Sequence, residues 1–189
     1  MKYIPILELP VLIIMVIIRS AMLSRRGIKA IVFGVTDKSD FIMLPVILCF
    51  FYAILSVFFA LPFPAVLTKL FFEINILNIF AIVTCTVSLI WFGITLKTFG
   101  KSFRVGIDKN TNGNLITNGT FSISRNPIYI SFLAFFTGIF TAYPNIVTLI
   151  FLLLLAMTVH RQILREEVFL KIHYGKQYDE YYGKVRRYL

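Results

Sequence analysis

The 189-residue chain is 58% hydrophobic, with a formal net charge of +10 and a mean hydropathy of +0.84. A soluble domain is about 45–50% apolar, so this excess, gathered into long runs, marks an integral membrane protein and excludes a soluble globular enzyme. The basic excess excludes little by itself, but its distribution along the chain argues against nucleic acid as a partner.

The first apolar run is Ile4 to Leu23, with Glu8 and Arg19 its only charges. It reads as a retained helix rather than a signal peptide. Only Lys2 precedes it, no small-x-small site follows, and Arg25-Arg26 come directly after. Glu8 is costly in lipid and should face protein, water or the interface, an interfacial position near the helix start being the preferred reading. Residues 25–40 form a loop with Gly27, Gly34, Asp37 and Asp40, in which nothing looks catalytic.

The second run, 41–63, holds no charge and ends at Pro62 and Pro64. The third helix covers 74–99, with Trp91 and Phe92 suited to an interfacial belt and Lys97 and Gly100 at its exit. Cys49 and Cys85 lie inside apolar runs and read as packing residues. No Cys/His spacing suits a metal, so none is expected.

Lys101 to Asn126 is the longest non-apolar stretch, with turn signals at Asp108, Asn110, Asn112, Gly113 and Asn114. It flows into Leu115 to Tyr129, LITNGTFSISRNPIY, around which the chain is organised. Pro127 disfavours helix at Asn126 and is preorganised as the first residue of a helix. The N–H groups of that first turn make a cradle for a negative group, and Tyr129 lies on the same turn. Helices over about 127–143 and 145–165 follow, joined only by Pro144-Asn145, which predicts a tight hairpin.

Past Val159 the sequence HRQILREEVFLKIHYGKQYDEYYGKVRRYL mixes apolar and charged residues. It reads as a helix leaving the membrane, a break at Gly175, and a short amphipathic helix rich in tyrosine (Tyr178, Tyr181, Tyr182) that packs back on the membrane face. The expectation is therefore an all-α integral membrane protein of about five transmembrane helices, in one domain over 1–189, with a C-terminal amphipathic helix.

With five spans the loops alternate sides. Of the 19 basic residues, Lys2 and Lys69 fall on one side and 16 on the other, leaving Arg19 inside the first helix. The positive-inside rule then places the N-terminus outside and the C-terminus in the cytoplasm. The charge is mainly a topology signal, with attraction to anionic membrane lipids secondary.

Arg161, Arg165, Glu166 and Glu167 lie where the last long helix exits. Paired carboxylates near Arg125 suit a cation, an amine or ribose hydroxyls, and equally a solvated helix end with local ion pairs. Our central expectation is that this cluster meets the Arg125–Tyr129 cluster at one membrane face. His160 and His173 read as structural, and no phosphate loop or hydrolase triad spacing occurs.

The segments GNLITNGTFSISRNPIYISFL and REEVFLKIHYGKQYDEYYGKV, separated by a hairpin, closely resemble the isoprenylcysteine carboxyl methyltransferase family. These are small integral-membrane enzymes related to the phospholipid methyltransferases. The resemblance covers about residues 99–185 and implies S-adenosylmethionine in a cytoplasmic-side pocket. Carried over by motif, the cofactor contacts are Asn114, Leu115, Ile116, Phe121, Asn126, Pro127, Tyr129 and Glu166. The implied acceptor is lipophilic and enters from the bilayer, as an isoprenylcysteine carboxylate or a lipid-like small molecule would. Arg161 or Arg165 would orient a carboxylate, and Glu167 would take a proton from an amine or thiol. Three positions depart from the family pattern: Asn126 replaces His, Phe121 replaces Tyr, and Gln162 stands where the substrate-side Arg is expected. Two other readings stand beside this one: an NADPH-dependent membrane reductase of the sterol-reductase type, and a non-catalytic membrane protein of the same fold. The sequence says nothing about oligomeric state.

Overall fold

The computed structural model describes residues 3–25, 43–59, 61–100 and 115–189. The loop over 26–40, most of Lys101 to Asn126, and the expected cofactor contact Asn114 lie outside the described residues. Seven α-helices are described: α1 (Ile4–Ser24), α2 (Met43–Phe59), α3 (Ala65–Thr68), α4 (Asn75–Phe99), α5 (Pro127–Ala142), α6 (Ile146–Tyr174) and α7 (Lys176–Lys184). A 3-10 turn, Gly119–Ser122, precedes α5, and the described residues contain no strand.

Three helices, α1, α4 and α6, are long and apolar enough to cross a membrane. The apolar stretches of α2 and α5 are shorter. At 16 residues α5 extends about 24 Å, less than the ~30 Å hydrocarbon core. Among the described residues the five expected apolar helices are all present, three of them long enough to span and two shorter. α6 runs on to Tyr174, past the expected end near residue 165, because no Gly or Pro interrupts it before Gly175. A crossing takes about 20 residues, which Ile146 to Arg165 supply; Glu166 and Glu167 lie just beyond.

α4 is the spine. It packs closely and antiparallel on α5, where Gly138 permits the approach: a Cβ there would come within 2.5 Å of Cys85 Sγ and 3.1 Å of the Ala81 carbonyl. Phe135 and Ile139, on the same face of α5, are fully buried. α2 docks on α6 through aromatic rings, Phe50 stacking on Phe151 at 3.9 Å with Phe136 edge-on to both. These rings stand in for the interdigitated aliphatic contacts of a soluble core.

α1 lies along α4. Its Glu8, near the helix start, faces protein, one of the settings expected for it. It accepts a hydrogen bond (2.8 Å) from Thr86, midway along α4. At the other end of this seam Arg19 donates to the carbonyl of Gly100, the residue that ends α4 with φ 53°.

The α5–α6 turn closes on itself. Asn145 caps α6 by accepting from the Thr148 N–H (3.0 Å), and the Thr148 hydroxyl reaches back to the Tyr143 carbonyl (2.5 Å). This reciprocal capping box satisfies amide groups the helix start leaves unpaired.

Candidate functional site

The site forms where α4 ends and α5 begins, at the end of the bundle opposite the α5–α6 turn. The chain reaches it through the 3-10 turn. Gly119 takes φ 57°, and a Cβ at that position would fall within 2.8 Å of the Thr98 side chain, so the turn presses against the last turn of α4. Phe121 anchors it: its ring lies 4.8 Å from Phe99, and its carbonyl accepts from the Tyr181 hydroxyl of α7 at 2.7 Å.

Pro127 then begins α5 as expected of its fixed φ. Trp91 Nε1 and Ser131 Oγ both donate to its carbonyl, at 3.2 and 2.9 Å. Asn126 is the N-cap residue, yet its side chain does not cap the helix. Its amide donates instead to the carbonyl of Arg187 at 3.0 Å.

The two polar clusters meet here. Tyr129 of α5 donates to Glu166 Oε1 of α6 at 2.5 Å, and Gln162, one turn earlier on α6, donates to the same oxygen at 2.9 Å. Burial pushes the Glu166 carboxyl above the ordinary range, against the pull of these two bonds. Glu167 is in a different situation. Arg125 donates to Oε1 from Nε and Nη2 (3.2 and 2.8 Å), and Arg187 grips both oxygens (3.1, 3.1 and 2.7 Å). Burial raises this carboxyl too, but the bonds from Arg187 and Arg125 outweigh it and hold the pKa below the usual value.

The structure separates the expected site residues. Tyr129 and Glu166 touch, with Pro127 and Asn126 a turn away. Phe121 is 7% exposed and Asn126 8%, so both serve the packing of the turn; Leu115 and Ile116 are half-buried. Arg161 is exposed and Arg165 half-buried, both on α6. Glu167, expected as a proton acceptor, is clasped by two guanidiniums that lower its pKa and weaken it as a base. Arg187 escaped the sequence reading. It lies 20 residues past Glu167 in a basic tail, and no spacing rule ties it there.

A family model described as phospholipid methyltransferase matches residues 72–177, more than half of the chain. Two curated relatives, each named probable protein-S-isoprenylcysteine O-methyltransferase, come from Oryza sativa subsp. indica and subsp. japonica. Each is 33% identical over 95 residues, covering 49% of this chain and 50% of the relative. The match thus spans about half the length of each relative. No solved structure matches.

Proposed function

Because the chain belongs to the phospholipid methyltransferase family, we propose that it is an S-adenosylmethionine-dependent methyltransferase acting on a lipophilic acceptor. The observation that carries this reading is the Tyr129–Glu166 contact at 2.5 Å, which joins the two motifs across α5 and α6 inside the family-matched segment. The names of the relatives support methyl transfer to an isoprenylcysteine, and we extend that to this chain as one acceptor class among lipid-like molecules.

The residues present fit the cofactor. Glu166 offers a carboxyl to an ammonium or ribose hydroxyl. The positive end of the α5 dipole at Pro127, which the Asn126 side chain does not cap, favours a carboxylate nearby. Leu115 and Ile116, half-buried just before the 3-10 turn, are the apolar candidates for the rest of the cofactor. When bound, the cofactor supplies an electrophilic methyl group on sulfur.

The protein's own part is alignment and exclusion of water. Tyr129 and Gln162 fix Glu166 in one orientation. The 3-10 turn packs on α7 and on the last turn of α4 at the same end of the bundle. For an acceptor that carries a proton, Glu166 is the better proton acceptor of the two carboxylates, because its pKa is raised and that of Glu167 is lowered. For a carboxylate acceptor, Arg161 and Arg165 on the exit of α6 are the orienting cations. In this reading the α4-end face is cytoplasmic, the N-terminus is outside, and the acceptor enters laterally from the bilayer. The whole chain forms one membrane domain.

Calorimetric titration of detergent-purified protein with S-adenosylhomocysteine, and separately with NADPH, tests the class. Binding of the first alone supports the proposal. Binding of NADPH alone moves these residues into a reductase site and overturns it.

A further inference from the structure

The segment that follows α7 is bound to the start of α5 at every residue from 124 to 126. The Arg125 N–H donates to the Arg186 carbonyl at 3.0 Å. Ser124 Oγ and Asn126 Nδ2 both donate to the Arg187 carbonyl, at 3.2 and 3.0 Å. The Arg125 guanidinium donates to the carbonyls of Tyr182 and Val185 (3.0 and 2.6 Å) and lies 4.0 Å over the Tyr182 ring. The Arg187 side chain then crosses to Glu167 on α6. Arg187 falls outside the segment that the family model matches.

On α6 these contacts fall on the immediate neighbour of Glu166, and on the α5 side on the three residues that precede the helix. Residues 124–126 lead directly into the turn that carries Tyr129, and Glu167 adjoins Glu166. α5 and α6 are joined covalently only at the far end of the pair, through Pro144. Over the roughly 24 Å length of α5, a rotation of about 5° at that turn parts the site ends by about 2 Å, enough to break the Tyr129–Glu166 bond.

We propose that residues 185–187 form a strap that holds the open end of the α5–α6 hairpin shut, and that Arg187 is a positioning residue acting through Glu167 and Arg125 to keep Tyr129 on Glu166. Arginine is required because its planar fork reaches both carboxylate oxygens while Arg125 takes its own share. A lysine keeps the charge and loses the second contact. This deepens the methyltransferase reading and rests on it for its consequence in binding, though not for its geometry.

The test compares wild type, Arg187→Lys, Glu166→Gln and the double variant in detergent micelles, with two readouts. The first is ligand-free hydrogen exchange. Arg187→Lys is expected to speed exchange over residues 124–131 at least tenfold and to leave residues 139–148 at the hairpin turn unchanged. The second is S-adenosylhomocysteine affinity, expected to fall about tenfold in Arg187→Lys but little further when Arg187→Lys is added to Glu166→Gln, since the contact it positions is already altered. Unchanged exchange at 124–131, a uniform rise at both segments, or fully additive losses of affinity each overturn the strap. If wild type binds no S-adenosylhomocysteine, the methyltransferase reading fails, and the exchange comparison alone decides the strap.

Discussion

At one end of the α5–α6 pair, Asn145 and Thr148 close the turn with hydrogen bonds that reach at most five residues along the chain. At the other end, Arg125, Glu167 and Arg187 close it with charged contacts 42 and 20 residues apart. The first closure forms with the helix itself and depends on neutral groups. The second requires α5, α6 and the segment after α7 to be in place first, and it takes the charges of Arg125 and Glu167 largely out of water while Arg187 stays partly exposed. A local turn fixes the hairpin; a remote clasp fixes the site. The remote end is therefore the one on which mutation and acid act most strongly.

The largest expected effect comes from Arg125→Ala. Its side chain is 7% exposed and that of Glu167 10%. Removing one guanidinium leaves a partly uncompensated buried carboxylate, at a cost of about 3–5 kcal/mol. Thermal unfolding in detergent measures it; a loss below about 1 kcal/mol would mean that the clasp is merely a surface ion pair. Next come Glu166→Ala and Tyr129→Ala, which leave the clasp whole and attack the site alone. Each is expected to weaken S-adenosylhomocysteine binding at least ~100-fold, about 2.7 kcal/mol, with helical circular dichroism unchanged. Retained affinity in both variants would remove these residues from the site.

Acid separates the two ends more gently. The Glu167 pKa is lowered in the fold, so its stabilising contribution is complete above the ordinary glutamate value of about 4.3 and is lost as pH falls through the lowered value. The stability gap between wild type and Glu167→Gln should then narrow below about pH 4. A gap that stays constant down to that range would show that the charge on Glu167 contributes nothing. The smallest effect belongs to the local closure. Asn145→Ala removes the cap and should cost about 1 kcal/mol, with S-adenosylhomocysteine affinity unchanged. An affinity loss as large as that of Arg187→Lys would erase the distinction between the ends.

The same difference in range explains what could be read in advance. The apolar runs give the helices, because burial in lipid needs only composition and length. Pro144-Asn145 gives the hairpin, because a cap and a turn are written in adjacent residues. Pro127 gives the start of α5 for the same reason. That the two polar clusters meet was legible in the chain itself, whereas the choice of Glu166 within its cluster came only from the ordered motifs of a family. Arg187 was not legible at all: in a tail of alternating basic and aromatic residues, nothing marks one arginine as reaching a carboxylate on another helix. The separate fates of Glu166 and Glu167 were hidden too, since adjacent residues on a helix point about 100° apart and meet different neighbours. The partner of Glu8 was hidden as well, because Thr86 comes from a helix more than 70 residues further along the chain.

Trp91 is the chain's one tryptophan, and its indole N–H is bonded to the carbonyl of Pro127, the first residue of α5. The molecule thus carries a built-in optical probe at the helix start that the strap secures. Emission from an indole depends on the polarity and hydrogen bonding around its ring nitrogen. A loosening of α5 should therefore appear as a change in intrinsic fluorescence, in native unlabelled protein and before any product is formed.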